Sequence, residues 1–113
     1  MIQLPSALII VGTNRNSGKT TLACELIRSA SRNHPVTALK ISPHFHQIEG
    51  WEKIVLQTND FVIIEETRSN TGKDSSRMLG AGAGKVYYLQ VWDENLGEAF
   101  NALLPFLDRS KPI

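Results

Sequence analysis

The feature that most restricts this chain is an apolar run that stops at a glycine and hands over to Gly-Lys-Thr-Thr. Ala7, Leu8, Ile9, Ile10 and Val11 form a short hydrophobic stretch ending at Gly12, the pattern of a parallel strand covered on both faces. Beyond Gly12-Thr13-Asn14-Arg15-Asn16-Ser17-Gly18-Lys19-Thr20-Thr21, the residues Leu22, Leu26, Ile27 and Ala30 recur at helical spacing, and Pro35 limits that helix. Strand, glycine-bearing loop and helix, in that order, are what a phosphate-cradling loop requires. The two glycines enclose five residues, Thr13 to Ser17, one more than the usual spacing. A glycine turn with a surface lysine is the plainer reading, but it does not account for Gly-Lys-Thr-Thr between an apolar strand and an amphipathic helix.

The chemistry expected of the loop follows from its residue types. Gly12 and Gly18 admit backbone torsions that side chains obstruct, so successive amide N–H groups can converge on phosphate oxygens. The first turn of the helix adds unpaired N–H groups and the positive end of its dipole around Ser17 to Thr21. Lys19 brings a full charge to the terminal phosphates, and Thr20 offers a hydroxyl to a magnesium ion. Those two carry whatever catalysis the site performs, with Thr20 as the metal ligand, while Thr21 suits the α-phosphate. Arg15 has two open readings, a γ-phosphate contact or a solvated side chain.

The remaining pattern predicts one α/β domain over residues 1–113, a three-layer fold of the P-loop NTPase type with a mainly parallel sheet. Val36 to Ile41 reads as a second strand, which places Lys40 near a carboxyl edge before Ser42 and Pro43. Lys53–Leu56 and Phe61–Glu65 flank Thr58-Asn59-Asp60 as a β-hairpin. Thr67 to Ser76 is a polar run read as surface loop, and Asp74 or Ser75 is expected to cap a helix through Met78 and Leu79. Val86 to Val91 reads as a buried strand. Leu96, Ala99, Phe100, Leu103, Leu104 and Leu107 make an amphipathic stripe that Pro105 should kink or end. Lys111-Pro112-Ile113 resembles the approach to one more strand, which leaves open that the chain is the N-terminal part of a longer domain.

Charge and cysteine usage narrow the partners. A formal net charge of +1 gives no broad electrostatic reason to expect nucleic acid or an anionic membrane. The opening residues lack a basic leading region and a long apolar run, so no targeting segment is expected. Cys24 is the single cysteine, which excludes an internal disulfide, suits a reducing cytoplasmic setting and predicts a small buried residue.

The loop resembles the nucleotide-binding loop of the dethiobiotin synthetase and cobyrinic acid synthase group, whose members open with Gly-Thr and have a longer spacer. More of the chain is similar to the MobB family of molybdopterin-guanine dinucleotide biosynthesis proteins. Lys40 followed by His44 and His46 loosely resembles that family's Lys-His-x-His-His stretch, and Gly72-Lys73-Asp74-Ser75 with Ala81-Gly82-Ala83 resembles its Gly-Lys-Asp-Ser and Ala-Gly-Ala segments. The resemblance implies a protein that binds GTP or ATP with Mg2+ and hydrolyses it slowly or only with a partner. It also implies molybdopterin or a cofactor-biosynthesis protein as partner, with Asp74 and Ser75 facing the nucleotide site or shaping a partner surface. An ATP-dependent ligase or kinase related to dethiobiotin synthetase, or a non-catalytic scaffold, are the competing readings.

Other candidates have ordinary explanations beside their functional ones. His44 and His46 share one face of an extended segment and, with Lys40, could contact an anionic ligand or a metal, or simply be surface histidines. Phe61-Val62-Ile63-Ile64-Glu65-Glu66 could order magnesium or water, but a hairpin strand ending in solvated carboxylates explains it better. Gly80-Ala81-Gly82-Ala83-Gly84 follows a helical pattern and reads as a helix exit. Thr71-Gly72-Lys73 lacks the preceding apolar strand of a phosphate loop. Trp51 and Trp92 are expected to be wholly or partly buried. An exposed hairpin and an open sheet edge are compatible with a homodimer.

Overall fold

The alternation of inward and outward residues along three central strands explains the architecture. A computed structural model describes residues 7–12, 19–42, 48, 50 and 52–107. Strands β1 (Ala7–Gly12), β2 (Val36–Ser42), β3 (Lys53–Gln57), β4 (Phe61–Glu65) and β5 (Lys85–Val91) form one sheet in the order β1-β2-β5-β4-β3. Helices α1 (Lys19–Ala30), α2 (Asp74–Gly80) and α3 (Leu96–Leu107) complete the fold, with a short 3-10 turn, Asp93–Asn95, before α3. Strands β2, β4 and β5 are apolar and buried over most of their length, as strands with cover on both faces must be.

Each face of the sheet has its own core. Val11, Val36, Ala38 and Val86 pack against Ala23, Cys24 and Ile27 of α1 and Met78 of α2. Leu39, Phe61, Ile63, Tyr87, Leu89 and Val91 pack against Ala99, Leu103 and Leu107 of α3. The result is three layers: α1 and α2, the sheet, and α3. Burying a side chain such as Ile27, Leu39 or Leu103 completely contributes roughly 1.5–3 kcal/mol each. No helix among the described residues is long and apolar enough to cross a membrane.

The sheet is mainly parallel in strand direction, as expected, but mixed, because one strand is reversed. β1, β2 and β5 are parallel neighbours, whereas β4 pairs antiparallel with both β5 and β3. The cause is local. Thr58 accepts hydrogen bonds through its Oγ1 from the amides of Asp60 and Phe61 at 3.1 and 3.2 Å, closing a reversal too short for anything but a hairpin. β4 therefore returns against the direction of the other strands.

Four expectations change. The stripe on α1 is turned: Leu22 and Leu26 are 61% and 51% exposed, while Ala23, Cys24 and Ile27 pack against the sheet. The helix α3 runs through Pro105, whose missing N–H costs one bond near the end of the helix and does not stop it. The cap position of α2 is Lys73, with no side-chain cap bond, and Asp74 is the first helical residue. Ser75 and Ser76 are buried parts of α2, not surface loop: Ser76 Oγ donates to the Arg68 carbonyl and accepts from the Thr71 amide.

The Gly80–Gly84 segment is a helix exit, as its letters suggested. The amides of Ala81 and Gly82 return to the carbonyls of Arg77 and Leu79, and the Gly84 amide then donates to the Val36 carbonyl at 2.8 Å, starting β5 beside β2. Gly82 has φ +122°, and a Cβ there would lie 2.7 Å from Ser31 Oγ at the end of α1. A side chain is thus opposed by torsion and by space. Gly82→Ala is expected to destabilise the fold by about 1–3 kcal/mol, whereas Gly97→Ala, in the open first turn of α3 with nothing within 4 Å, should gain up to about 1 kcal/mol. Urea unfolding of the two variants beside wild type checks the opposite signs.

Candidate functional site

Parallel pairing brings the candidate residues to one edge. Gly12 sits opposite Ile41 and Val11 opposite Lys40, so the end of β1 lies beside Lys40 at the carboxyl ends of the parallel strands, where open α/β sheets bind ligands. Lys19 and Thr20 begin α1, close above that edge. Inward parity along β2 puts Lys40 on the same face as Val36 and Ala38, beneath α1 and α2.

There Lys40 is only 9% exposed, and its ammonium donates to Asp74 Oδ2 at 2.5 Å. The same ammonium lies 5.9 Å from the centroid of the Tyr88 ring, its neighbour across the β2–β5 ladder, within cation–π range. The Thr20 hydroxyl is among the groups that lower the pKa of the Asp74 carboxyl. Arg77, one turn further along α2, approaches Asp74 Oδ1 at 3.6 Å and donates from its Nη2 to Thr21 Oγ1 at 3.2 Å. Burial works against the charge on Asp74, but the Lys40 bond and charge, the Thr20 hydroxyl and the Arg77 charge together outweigh it. Its carboxyl group is therefore held below its ordinary value of 3.8, and the acid is an anion at neutral pH.

Behind this cluster is a second network that supports it. Glu66 is 7% exposed, accepting from Ser75 Oγ at 2.7 Å and from the Arg68 amide at 3.4 Å. The expectation of solvated carboxylates at the end of β4 fails at this residue. Glu66 follows Val62 and Ile64 at every second position, so the pleat turns it inward and Ser75 satisfies it. Lys73 pairs with Glu52 at 2.8 Å; that bond outweighs the opposing effect of burial and raises the lysine above its usual value. Tyr88 is pushed up chiefly by burial, against a hydrogen bond from Ser42 that lowers it. Glu52, Ile64, Glu66, Lys73, Ser75 and Tyr88 surround a small cleft, too tightly tied by these bonds to take more than water.

Of the residues selected from sequence, the structure brings together Thr20, Thr21, Lys40 and Asp74, with Gly12 and the start of α1 at the same edge. Thr13, Asn14, Arg15, Asn16, Ser17 and Gly18 lie outside the described residues, as do His44, His46 and Trp51 and the side chain of Lys19. Trp92 is 50% exposed and follows the carboxyl end of β5. Sequence alone does not single out Arg77: three residues beyond Asp74 it shares that helix face, but its contact with Thr21 depends on how α2 lies against α1.

The donor set determines what such a site can hold. Among the described residues no group of three or more His, Cys, Asp or Glu side chains could bind a metal. Thr20 and Asp74 offer two oxygens, which suits an ion that keeps water and phosphate oxygens for its other positions, as Mg2+ does, and suits a site closed by protein alone poorly. Lys40 and Arg77 add two positive charges around one carboxylate, an excess that an anionic ligand balances.

Because Asp74 has its carboxyl pKa lowered by folding, its contribution to stability is present above pH 3.8 and is lost as pH falls through the lower folded value. Asp74→Asn is expected to cost about 1–3 kcal/mol at pH 7, since it leaves the Lys40 ammonium without its charged partner in a partly buried position. It should also flatten the acid limb of the stability curve. Chemical unfolding of the metal-free protein from pH 2 to 7 measures both; an unchanged limb counts against the assignment. Comparison with known proteins adds no family to this geometry: no family model, curated protein or solved structure matches the chain.

Proposed function

We propose that this protein binds a nucleoside triphosphate, GTP or ATP, with Mg2+ at the carboxyl edge of its parallel strands. The observation that carries the reading is the Lys40–Asp74 ion pair beneath the start of α1, with Arg77 joining Asp74 to Thr21. A hydroxyl from the first helical turn after Gly18-Lys19 stands beside an ionised carboxylate, the pairing with which phosphate-loop proteins hold magnesium. Lys40 and Arg77 flank it with positive charge. The sequence from Gly12 to Thr21 supplies the rest: a loop of suitable composition between β1 and α1. Lys19 is assigned to the terminal phosphates, Thr20 and Asp74 to the metal, and Thr21 to the α-phosphate.

When bound, Mg2+ would supply charge neutralisation across the phosphates. The chain's own residues would position the nucleotide and order its charges, and these can drive phosphoryl transfer without a strong base. Both acids nearest the site are engaged, Asp74 by Lys40 and Glu66 by Ser75, which favours slow or partner-dependent hydrolysis. The ordered Lys40, His44 and Gly72–Ser75 similarity favours a role as a GTP-binding accessory factor in molybdenum-cofactor maturation, acting with molybdopterin or a biosynthetic enzyme.

Saturating Mg-GTP or Mg-ATP is expected to raise the melting temperature of the wild type through linkage. Lys19→Ala should weaken triphosphate binding on the order of 100-fold, about 2.7 kcal/mol. Thr20→Val should keep part of the affinity in EDTA and lose the increment that Mg2+ adds. Isothermal titration of the three proteins decides the matter, and equally weak binding by wild type and Lys19→Ala would remove the basis of the proposal.

A further inference from the structure

The Lys40–Asp74 pair occupies the carboxylate assigned above to the metal. The best anionic oxygen at the site is held by a lysine that is itself almost wholly buried. We propose that Lys40 is a placeholder cation: it denies Asp74 to a free divalent ion and releases it only when phosphate oxygens arrive to take over the ammonium. The inference rests on the nucleotide reading and concerns the order in which that site fills.

The argument is one of charge balance. A divalent ion that reached Asp74 alone would displace the Lys40 ammonium and leave it beside a dication, with Arg77 as a further positive neighbour 3.6 Å from the same carboxylate. Displaced buried ammonium without an anion is strongly disfavoured. The Tyr88 ring face, already within 5.9 Å, retains some attraction for the ammonium but does not neutralise it. A polyphosphate supplies several anionic oxygens at once and removes the obstacle. Metal and triphosphate then bind cooperatively, each raising the affinity for the other by the same factor. Lys40 acts through Asp74 and the phosphates, so its role is positioning and control of metal entry.

Mn2+ is a suitable probe, because it accepts the same oxygen ligands as Mg2+ and its free form is counted by electron paramagnetic resonance. For nucleotide-free protein, Lys40→Met is expected to bind Mn2+ at least about tenfold more tightly than wild type, within the usual range of coupling between sites. Lys40→Met with Asp74→Asn should lose that gain. Equal Mn2+ affinity in wild type and Lys40→Met overturns the proposal. Should Lys40→Met fail to fold, the wild type still decides: its Lys40 side-chain nitrogen resonance should stay in place with Mg2+ alone and move with Mg2+ plus triphosphate. Movement with Mg2+ alone overturns it equally. A wild type that binds no triphosphate removes the nucleotide reading and this inference with it, whereas triphosphate binding with unaltered Mn2+ affinity in Lys40→Met removes the inference only.

Discussion

One ion pair fastens the two halves of the fold. Lys40 comes from the second strand and Asp74, 34 positions further along the chain, from the helix that precedes the last, and their contact fixes where α2 begins above the sheet. The pair lies over the β2–β5 ladder, which is the junction between the βαβ unit and the hairpin-bearing remainder. A buried lysine is costly without a partner, so the position of Asp74 is tightly specified. Its neighbours follow from it. Ser75, next in sequence, is set over Glu66, and Arg77, one turn on, is set over the start of α1.

The electrostatic consequence is a division of labour between two networks. Near the carboxyl edge, Lys40 and Arg77 outnumber Asp74, and the local field favours an anion. In the second network, Glu66 is held by a hydroxyl and an amide, and Glu52 pairs with Lys73. That network is built from neutral donors and an ion pair. It supports the loop before α2 without competing for whatever binds above, which is how a rigid scaffold carries an exchangeable site.

Much of this was legible in the sequence where a single physical signal acted alone. A continuous apolar run marked β1, predominantly apolar or aromatic segments marked β2 and β5, and Thr58-Asn59-Asp60 marked the hairpin. Cys24 is buried, as a lone small apolar residue in a helix should be. The readings that failed are those in which tertiary packing chooses between local options. Hydropathy favoured Leu22 and Leu26 as the inner face of α1, but Ala23, Cys24 and Ile27 are the residues packed against the sheet. Pro105 opposes a helix locally, yet Leu103 and Leu107 are anchored on both sides of it. Glu66 looked solvent-facing because its partner, Ser75, is nine residues away and no short-range pattern announces the bond. Of the site, Thr20, Lys40 and Asp74 could be named in advance, while Arg77 could not, because its function depends on the angle at which α2 crosses α1.

The close approach of Gly82 to Ser31 pins the C-terminal ends of α2 and α1 together at the opposite edge of the sheet from Asp74. α2 is then a short lever with its fulcrum at the glycine and its working tip at the acid. Seven residues span about 10 Å, so a tilt of roughly 6° carries the tip by about 1 Å. Such a displacement changes a hydrogen bond into a gap while leaving the core beneath it unmoved, and whatever grips the tip is felt along the whole rod.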